Sequence, residues 1–493
     1  MRTTLGAEFT AAFDRYRDRT AVELGGRSWT FEDLDRWSAA VAGQLLSRGV
    51  EPGDPVALHL GNGVEFVVVD VAVARLGAVK VPVNPLLPAD TVRYIVARTR
   101  ARVVVVDPAL GVELPDTTVI PVGDLAGPSG APAPPPPAIN PDARAAIYFT
   151  GGTTGRPKGV VHTQASAVAL QYAQMLEAEI VQDDRLLLTT PLAHAAGLFA
   201  QSALLRGATS VIEPGFDADR VLAALRDRGI TWTFLVPTML YRLLDTLDAP
   251  ERFGLRTVVY GAAPITPGRL ARALEVFGPV FVQLFGQTEC PNWGTRLAKD
   301  DHDPARPELL DSCGRASIMA DVAIVDDRGD PIPTGETGEV CLRSPYVLEG
   351  YLDDPSATAE KFLPGGWIRT GDVGFLDDLG YLHLRDRRAD MVISGGMNVY
   401  CSEVENVLAA HPAVSQVAVI GVPHDDWGEA VHAVIVGAVD VDEVLAWCRD
   451  RLAAYARPKT AEVVDDLPVT PFGKVDKLAL RAPHWAGRER SIG

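Results

Sequence analysis

The chain has 493 residues, 47% hydrophobic and 22% charged, and its 64 acidic against 46 basic residues give a formal net charge of −18. That length holds several domains and a large core, and the acidic balance argues against nucleic acid or an anionic membrane surface as the main partner. Five cysteines (Cys290, Cys313, Cys341, Cys401, Cys448) are scattered without a C-x-x-C pair, which predicts reduced thiols rather than disulfides or zinc.

In chain order, the opening "MRTTLGAEFTAAFDRYRD" lacks the apolar core of a signal peptide. "DRWSAAVAGQLLSRG" (35–49) has helical spacing and stops at Gly49. "PVALHL" (55–60) and "ARVVVVD" (101–107) read as buried strands. The most apolar stretch between them, "EFVVVDVAVARLGAVKVPV" (65–83), is interrupted by Asp70, Arg75 and Lys80, too often to span a bilayer. Residues 126–141 are a proline-rich exposed connection that cannot form helix. It delivers the chain to "ARAAIYF", a predicted buried strand, and then to "FTGGTTGRPKG" (149–159).

Four glycines in these eleven residues permit close backbone approach to a ligand, three threonines add hydroxyls, and Lys158 adds a cation. Read alone, the stretch is open between a phosphate cradle and a flexible exposed turn. Because Lys158 precedes Gly159, it is not the P-loop of common NTPases. Further on, "GWIRTGDVGFLDDLGYLHL" carries hairpin signals at Asp377-Asp378 and Gly380. A boundary falls near 384–390, followed by a helix from about Ser402, where Ser402 and Glu405 have the form of a capping box. Alternating helix and strand patterns predict layered α/β architecture, with a small α+β domain over the last hundred or so residues. The ending "GRERSIG" carries no sorting or lipidation signal, and a soluble cytoplasmic protein is expected.

Eight stretches together carry a family resemblance: "FTGGTTGRPKG", "PLAHAAG" (191–197), "YGAAP" (260–264), "LFGQTE" (284–289), "GETGEVCLRS" (335–344), "GWIRTGD" (366–372), "DRRADMVISGGMNVYCSEVE" (386–405) and "LPVTPFGKVDK" (467–477). In this order the chain resembles the acyl- and aryl-CoA synthetases of the adenylate-forming enzymes over nearly its whole length. The resemblance implies a large multi-subdomain N-terminal domain (1–385) and a small mobile C-terminal domain (386–493). It implies coupling of a carboxylic acid to ATP, giving acyl-AMP and pyrophosphate, then displacement of AMP by a thiol.

By that resemblance Thr150, Gly151, Gly152, Thr153, Thr154, Gly155 and Lys158 wrap the β- and γ-phosphates, Thr288 meets the α-phosphate, and Glu289 holds Mg²⁺. Gly261, Ala262, Ala263 and Pro264 with Phe285, Gly286 and Gln287 form the adenine slot. Asp372 takes the ribose hydroxyls and Arg387 contacts the nucleotide. His194 stands beside the carboxylate, with Ala195, Ala196, Gly197 and Pro237 in the acyl pocket. Lys474 serves adenylation, and Ser394, Gly395, Gly396 and Asn398 wall the CoA tunnel. Rotation of the small domain about Ala389 exchanges the two arrangements. The chain departs from the family pattern at Gly151 (usually Ser), Phe285 (usually Tyr), Ala389 (usually Asp or Lys) and Cys401 (often Pro).

After His194 no acidic residue follows until Glu213, so an amino-acid substrate would leave its ammonium without a partner. Arg206 and Arg296 are the nearby arginines a dicarboxylate would want, but nothing in the sequence places them in the pocket. Phe199 and Trp293 with the small residues suggest an apolar pocket for a fatty, alicyclic or aryl acid. CoA is the expected acceptor, since no carrier domain follows residue 493; a separate carrier protein or a luciferase-like oxygenation is the alternative. A homodimer, and a lysine acetyltransferase acting on Lys474, complete the expected partners.

Overall fold

The computed structural model describes residues 4–115, 117–128, 137–150, 156–247, 249–387, 390–470 and 475–486. The expected layered α/β architecture is present, and among the described residues it resolves into four sheets. The first, of nine strands, has a parallel run in the spatial order Phe281–Gln287, Thr257–Gly261, Trp232–Leu235, Arg185–Leu188, Thr209–Ile212 and Thr20–Leu24. Antiparallel strands Cys290–Leu297, Arg315–Ala316 and Arg27–Thr30 extend its edges. The second, of seven strands, joins Thr118–Pro121, Val103–Val106, Pro55–His59, Val79–Pro82 and Arg144–Thr150 in parallel, then adds Lys158–Thr163 and Gly350–Tyr351 antiparallel. The strands expected at 55–60 and 101–107 are both here. Val103–Val106 is buried throughout, as a strand covered on both faces must be.

Helices fill the space between these sheets. Leu5–Tyr16, Phe31–Ser47, Val64–Leu76, Gln164–Glu177 and Ala195–Arg206 share one apolar cluster with Leu58 and Val105 of the second sheet and Leu186, Leu188 and Val259 of the first. Ala218–Asp227, Pro237–Thr246 and Pro267–Phe277 cover the other face of the nine-stranded sheet. Ala89–Thr99 covers the other face of the seven-stranded one. The helix expected from residue 35 starts at Phe31, because Thr30 and Asp33 cap each other reciprocally.

Val64–Leu76 is buried at every position except Glu65. The charges that interrupt this apolar stretch are satisfied internally. Lys80 Nζ lies 2.9 Å from Asp70 Oδ2, Gln201 Nε2 donates to the same oxygen at 2.8 Å, and Arg75 pairs with Asp35. Among the described residues no helix is long and apolar enough to cross a membrane.

The third sheet is antiparallel and contains the expected hairpin, Trp367–Leu376 against Leu382–Arg387. Its turn is held by the Asp377 carboxylate, which accepts from the Leu379 and Tyr381 N–H groups at 2.9 Å. The fourth sheet, with strands Val392–Ser394, Met397–Val399, Val414–His424, Gly428–Gly437 and Thr460–Val463, has its own core, including Val392, Leu408, Val419 and Val431. The expected capping box at Ser402 and Glu405 is not formed. The helix Cys401–Ala409 has no side-chain cap bond from its N-cap residue, Tyr400. Asp386 accepts the Cys401 N–H, Ser402 donates to the Arg385 carbonyl, and Glu405 accepts the Val419 N–H while pairing with Lys477 at 2.7 Å. Partners distant in sequence have displaced the local ones.

Candidate active site

Parallel strands present their carboxyl ends on one side of a sheet, and loops leaving those ends form the crevice where ligands bind in open α/β sheets. The predicted motifs occupy such positions: Thr150, Gly261 and Gln287 each end a parallel strand. His194 lies in the turn after Arg185–Leu188, and Pro237 opens the helix after Trp232–Leu235.

Thr150 and Lys158, which flank the glycine-rich stretch, are cross-strand partners. The cradle residues Gly151, Gly152, Thr153, Thr154 and Gly155 lie outside the described residues, as do Ala389 and Lys474. Lys158 is exposed and its Nζ sits 5.2 Å from the Tyr351 ring centroid. At Gly261 a Cβ would come within 2.4 Å of the Leu284 carbonyl oxygen, which requires glycine. Ala262 then takes φ +65°, a left-handed conformation costing a non-glycine residue about 1–3 kcal/mol. Ala263 and Pro264 continue this partly exposed turn.

Thr288 and Glu289 form the two-residue tip of a hairpin, between Phe281–Gln287 and Cys290–Leu297. A Cβ at Gly286 would lie 2.7 Å from the Cys290 carbonyl oxygen, so the tip closes only around glycine. His162 Nε2 is 2.9 Å from the Thr288 carbonyl, and burial holds its pKa below the ordinary value. A carbonyl can only accept, so the neutral ring carries its proton on Nε2.

Glu289 is 8% exposed. The Tyr351 hydroxyl donates to Oε1 at 2.6 Å, and Lys361 Nζ lies 3.7 Å from the same oxygen. Burial and the adjacent carboxylate push the Tyr351 pKa up, so it remains a donor. Lys361 also donates to Gln287 Oε1 at 2.8 Å; Gln287 Nε2 donates to the Thr370 carbonyl at 3.0 Å and reaches Asp372 Oδ2 at 3.4 Å. Asp372, 7% exposed, is the cross-strand partner of Arg387, whose Nε is 3.4 Å from Oδ1. One polar strip thus runs Glu289–Lys361–Gln287–Asp372–Arg387 and joins this hairpin to the one formed by Trp367–Leu376 and Leu382–Arg387. Phe285, half-buried, packs against the apolar cores beside it.

On the acid side, burial holds the His194 pKa at about 4, so the imidazole is neutral near pH 7. Ala195 is half-buried, while Ala196, Gly197 and Pro237 are buried. A Cβ on Gly197 would meet the Leu192 carbonyl oxygen at 2.0 Å, so this helix start is pressed against its own approach turn. The two aromatics suggested as pocket walls pack as core side chains. Phe199 has its ring centroid 4.9 Å from that of Trp232 and 5.2 Å from that of Phe234. Trp293 is fully buried and donates to Gln174 Oε1 at 3.4 Å. Arg206 donates to the Ile180 carbonyl and Arg296 pairs with Glu177 and Glu179, so both are committed elsewhere. Glu213 is likewise taken, by Arg228 at 2.6 Å.

Residues 9–352 match the family model of the AMP-binding enzymes, and residues 403–474 match that of the AMP-binding enzyme C-terminal domain. The chain belongs to the AMP-binding enzymes. It is 42% identical over 368 residues to the medium/long-chain-fatty-acid–CoA ligase FadD8 of Mycobacterium tuberculosis, an alignment covering 72% of this chain and 64% of that relative. A feruloyl-CoA synthase of an Amycolatopsis species is 36% identical over 475 residues, 94% of this chain and 95% of that one. Among solved structures, the amide bond synthetase McbA of Marinactinospora thermotolerans superposes with a TM-score of 0.88 at 34% identity, covering 97% of this chain and 99% of that one.

In this AMP-binding enzyme the predicted CoA loop is a tight hairpin. Ser394 pairs with Met397, leaving Gly395 (φ +58°) and Gly396 (φ +79°) as a turn that needs positive φ at both positions. Gly396 and Asn398 are exposed, Ser394 is buried, and the Gly395 N–H donates to the Trp427 carbonyl at 3.0 Å. The Trp427 indole is 40% exposed and stacks on His424 with centroids 4.1 Å apart.

Sequence reasoning missed His162, Tyr351, Lys361 and Trp427. Tyr351 and Lys361 come from "EGYLDDPSATAEKF", whose pattern marks a turn and a short helix but no ligand. They reach the site because Gly350–Tyr351 pairs with Lys158–Thr163 at the edge of the seven-stranded sheet.

Proposed function

We propose that this enzyme is an ATP-dependent acid–CoA ligase. A carboxylate attacks the α-phosphate of ATP to give acyl-AMP and pyrophosphate; the CoA thiol then attacks the acyl carbon and AMP leaves. The observation that carries this reading is the polar strip. It sets a buried carboxylate, Glu289, at a hairpin tip one tyrosine ring away from Lys158, and a second carboxylate, Asp372, at its other end next to Arg387. A nucleotide laid along it meets cation-holding chemistry at its phosphates and hydrogen-bond acceptors at its ribose.

Glu289 fits a magnesium ion. Among the described residues both of its contacts fall on Oε1, and one of them is a neutral hydroxyl. Magnesium prefers one or two carboxylates, with phosphate oxygens and water completing its shell. When bound, the ion would neutralise phosphate charge as the carboxylate attacks.

The chain's own groups supply the rest. Thr150 with Gly151, Gly152, Thr153, Thr154, Gly155 and Lys158 would enclose the β- and γ-phosphates, with Thr288 and Lys474 at the α-phosphate. His162 fixes the Thr288 carbonyl and so sets how that threonine is presented. Gly261, Ala262 and Ala263 with Phe285, Gly286 and Gln287 would hold adenine. His194, neutral, can donate to a substrate carboxylate without adding charge. In the second step the Ser394–Asn398 hairpin, with the exposed Trp427 indole as a stacking surface, would receive CoA after rotation about Ala389. We place the domain boundary at 385/386.

With Glu213, Arg206 and Arg296 engaged elsewhere, neither an amino acid nor a dicarboxylate finds its counter-charge among them. The substrate we infer is an acid with an uncharged tail. The test is pyrophosphate release over fatty, alicyclic and aryl acids, with CoA, a primary amine or a carrier protein as acceptor. CoA-dependent thioester is expected. Pyrophosphate release that leads only to amide, or only to carrier-bound acyl group, would refute the choice of CoA.

A further inference from the structure

The small-domain sheet carries a cluster unconnected with the nucleotide. His432, in Gly428–Gly437, is the parallel partner of Thr460, and Glu462 lies two residues further along Thr460–Val463. Residues paired directly, and those two apart on a strand, share a face, so the three side chains rise together. His484, from the segment after Lys477–Arg481, is laid over them by its N–H bond to the Arg481 carbonyl, with its ring centroid 5.0 Å from that of His432. One donor atom from each of His432, Glu462 and His484 lies within 4.8 Å of the others, and His432 Nε2 is 3.5 Å from Glu462 Oε1. Ligand atoms around a tetrahedral zinc sit about 3.3–3.5 Å apart, given its bond lengths.

A second observation is independent of that spacing. His432 Nδ1 is 2.7 Å from the Thr460 hydroxyl. A metal-bound histidine ordinarily has its other ring nitrogen fixed in this way, which orients the lone pair at the ion. The His432 ring is buried at 6% exposure, whereas Glu462 and His484 are exposed, so a cation can enter from solvent.

We propose that His432, Glu462 and His484 form a site for a zinc-like transition dication, with a water at the fourth position. Two imidazoles and one carboxylate suit zinc, cobalt or nickel and not magnesium. The bound ion would fasten residues 475–486, the segment that follows Lys474, onto the sheet.

The test uses the full chain, free of any affinity tag and stripped with chelator, titrated with Zn²⁺ against a chromogenic competitor and with Co²⁺ by visible absorption. One saturable equivalent is expected. His484→Ala, at a surface position, abolishes it, and Thr460→Val weakens it about 10–100-fold while circular dichroism stays unchanged. No saturable binding, or the same stoichiometry and affinity in His484→Ala and Glu462→Gln, overturns the site.

Discussion

Lys80→Met isolates the cost of leaving one charge of a buried pair behind. Lys80 and Asp70 are each 5% exposed, with nitrogen and oxygen 2.9 Å apart. Burial by itself disfavours the ammonium, but the Asp70 carboxylate and Tyr148 together more than offset this and hold the Lys80 pKa above its ordinary value. Methionine is unbranched and adaptable, so the substitution removes charge while filling the space. Breaking a buried pair from one side costs about 3–5 kcal/mol. Gln201 Nε2 still donates to Asp70 at 2.8 Å, which places the expected loss at the lower end, about 3 kcal/mol. The double variant Asp70→Leu, Lys80→Met removes both charges and should recover most of that loss, because apolar replacement of a whole pair is often neutral or better. Urea unfolding followed by tryptophan fluorescence measures both, since Trp232 and Trp293 lie in the same core as Val64–Leu76, the helix that carries Asp70. A single variant losing less than about 1 kcal/mol, the range of an exposed pair, would refute the reasoning. So would a double variant no more stable than the single.

Glu289→Gln keeps side-chain volume and removes the charge that would hold magnesium, so pyrophosphate release should fall by orders of magnitude with the fold intact; a rate within about twofold of wild type at saturating Mg²⁺ would sink the assignment. Lys474→Ala should cut acyl-AMP formation about 10²–10³-fold yet leave thioester formation from preformed acyl-AMP near normal, and equal losses in both half-reactions would reject the role. Ala389→Pro should let acyl-AMP form while thioester formation stalls, since proline restricts its own φ and the residue before it; normal rates in both would move the hinge elsewhere. His302 donates from Nδ1 to the Ala298 carbonyl and accepts from Tyr260 at Nε2, and burial holds its pKa at about 4 against 6.5 in the unfolded chain. Its contribution is therefore complete above pH 6.5 and drains as pH falls towards 4, reaching about 3 kcal/mol. His302→Gln should flatten the fall of the urea midpoint over that window, and an unchanged slope would refute the assignment.

What was legible in the sequence was what local pattern determines. Apolar runs located Pro55–His59, Val103–Val106 and Arg144–Thr150, and turn residues located the hairpin at Asp377. Reading failed wherever a distant partner decided the outcome. Glu405 resembles half of a capping box until Lys477 and the Val419 N–H compete for it. Phe199 and Trp293 look like pocket walls in one dimension, yet Trp232 and Gln174 claim them in three. The same holds for Tyr351 and Lys361, which reach Glu289 by a strand pairing no periodicity announces. His432, Glu462 and His484 meet only because a parallel strand and a terminal segment converge.

The Tyr351 ring lies under the Lys158 ammonium while its hydroxyl grips Glu289. A phenyl ring is rigid, so a pull on the hydroxyl tilts the plate beneath the lysine. The two charges that would face opposite flanks of a triphosphate are thereby yoked. Glu289 and Lys158 are thus linked through a single side chain. A change at Tyr351 would remove the ring from Lys158 and the hydroxyl from Glu289 at once.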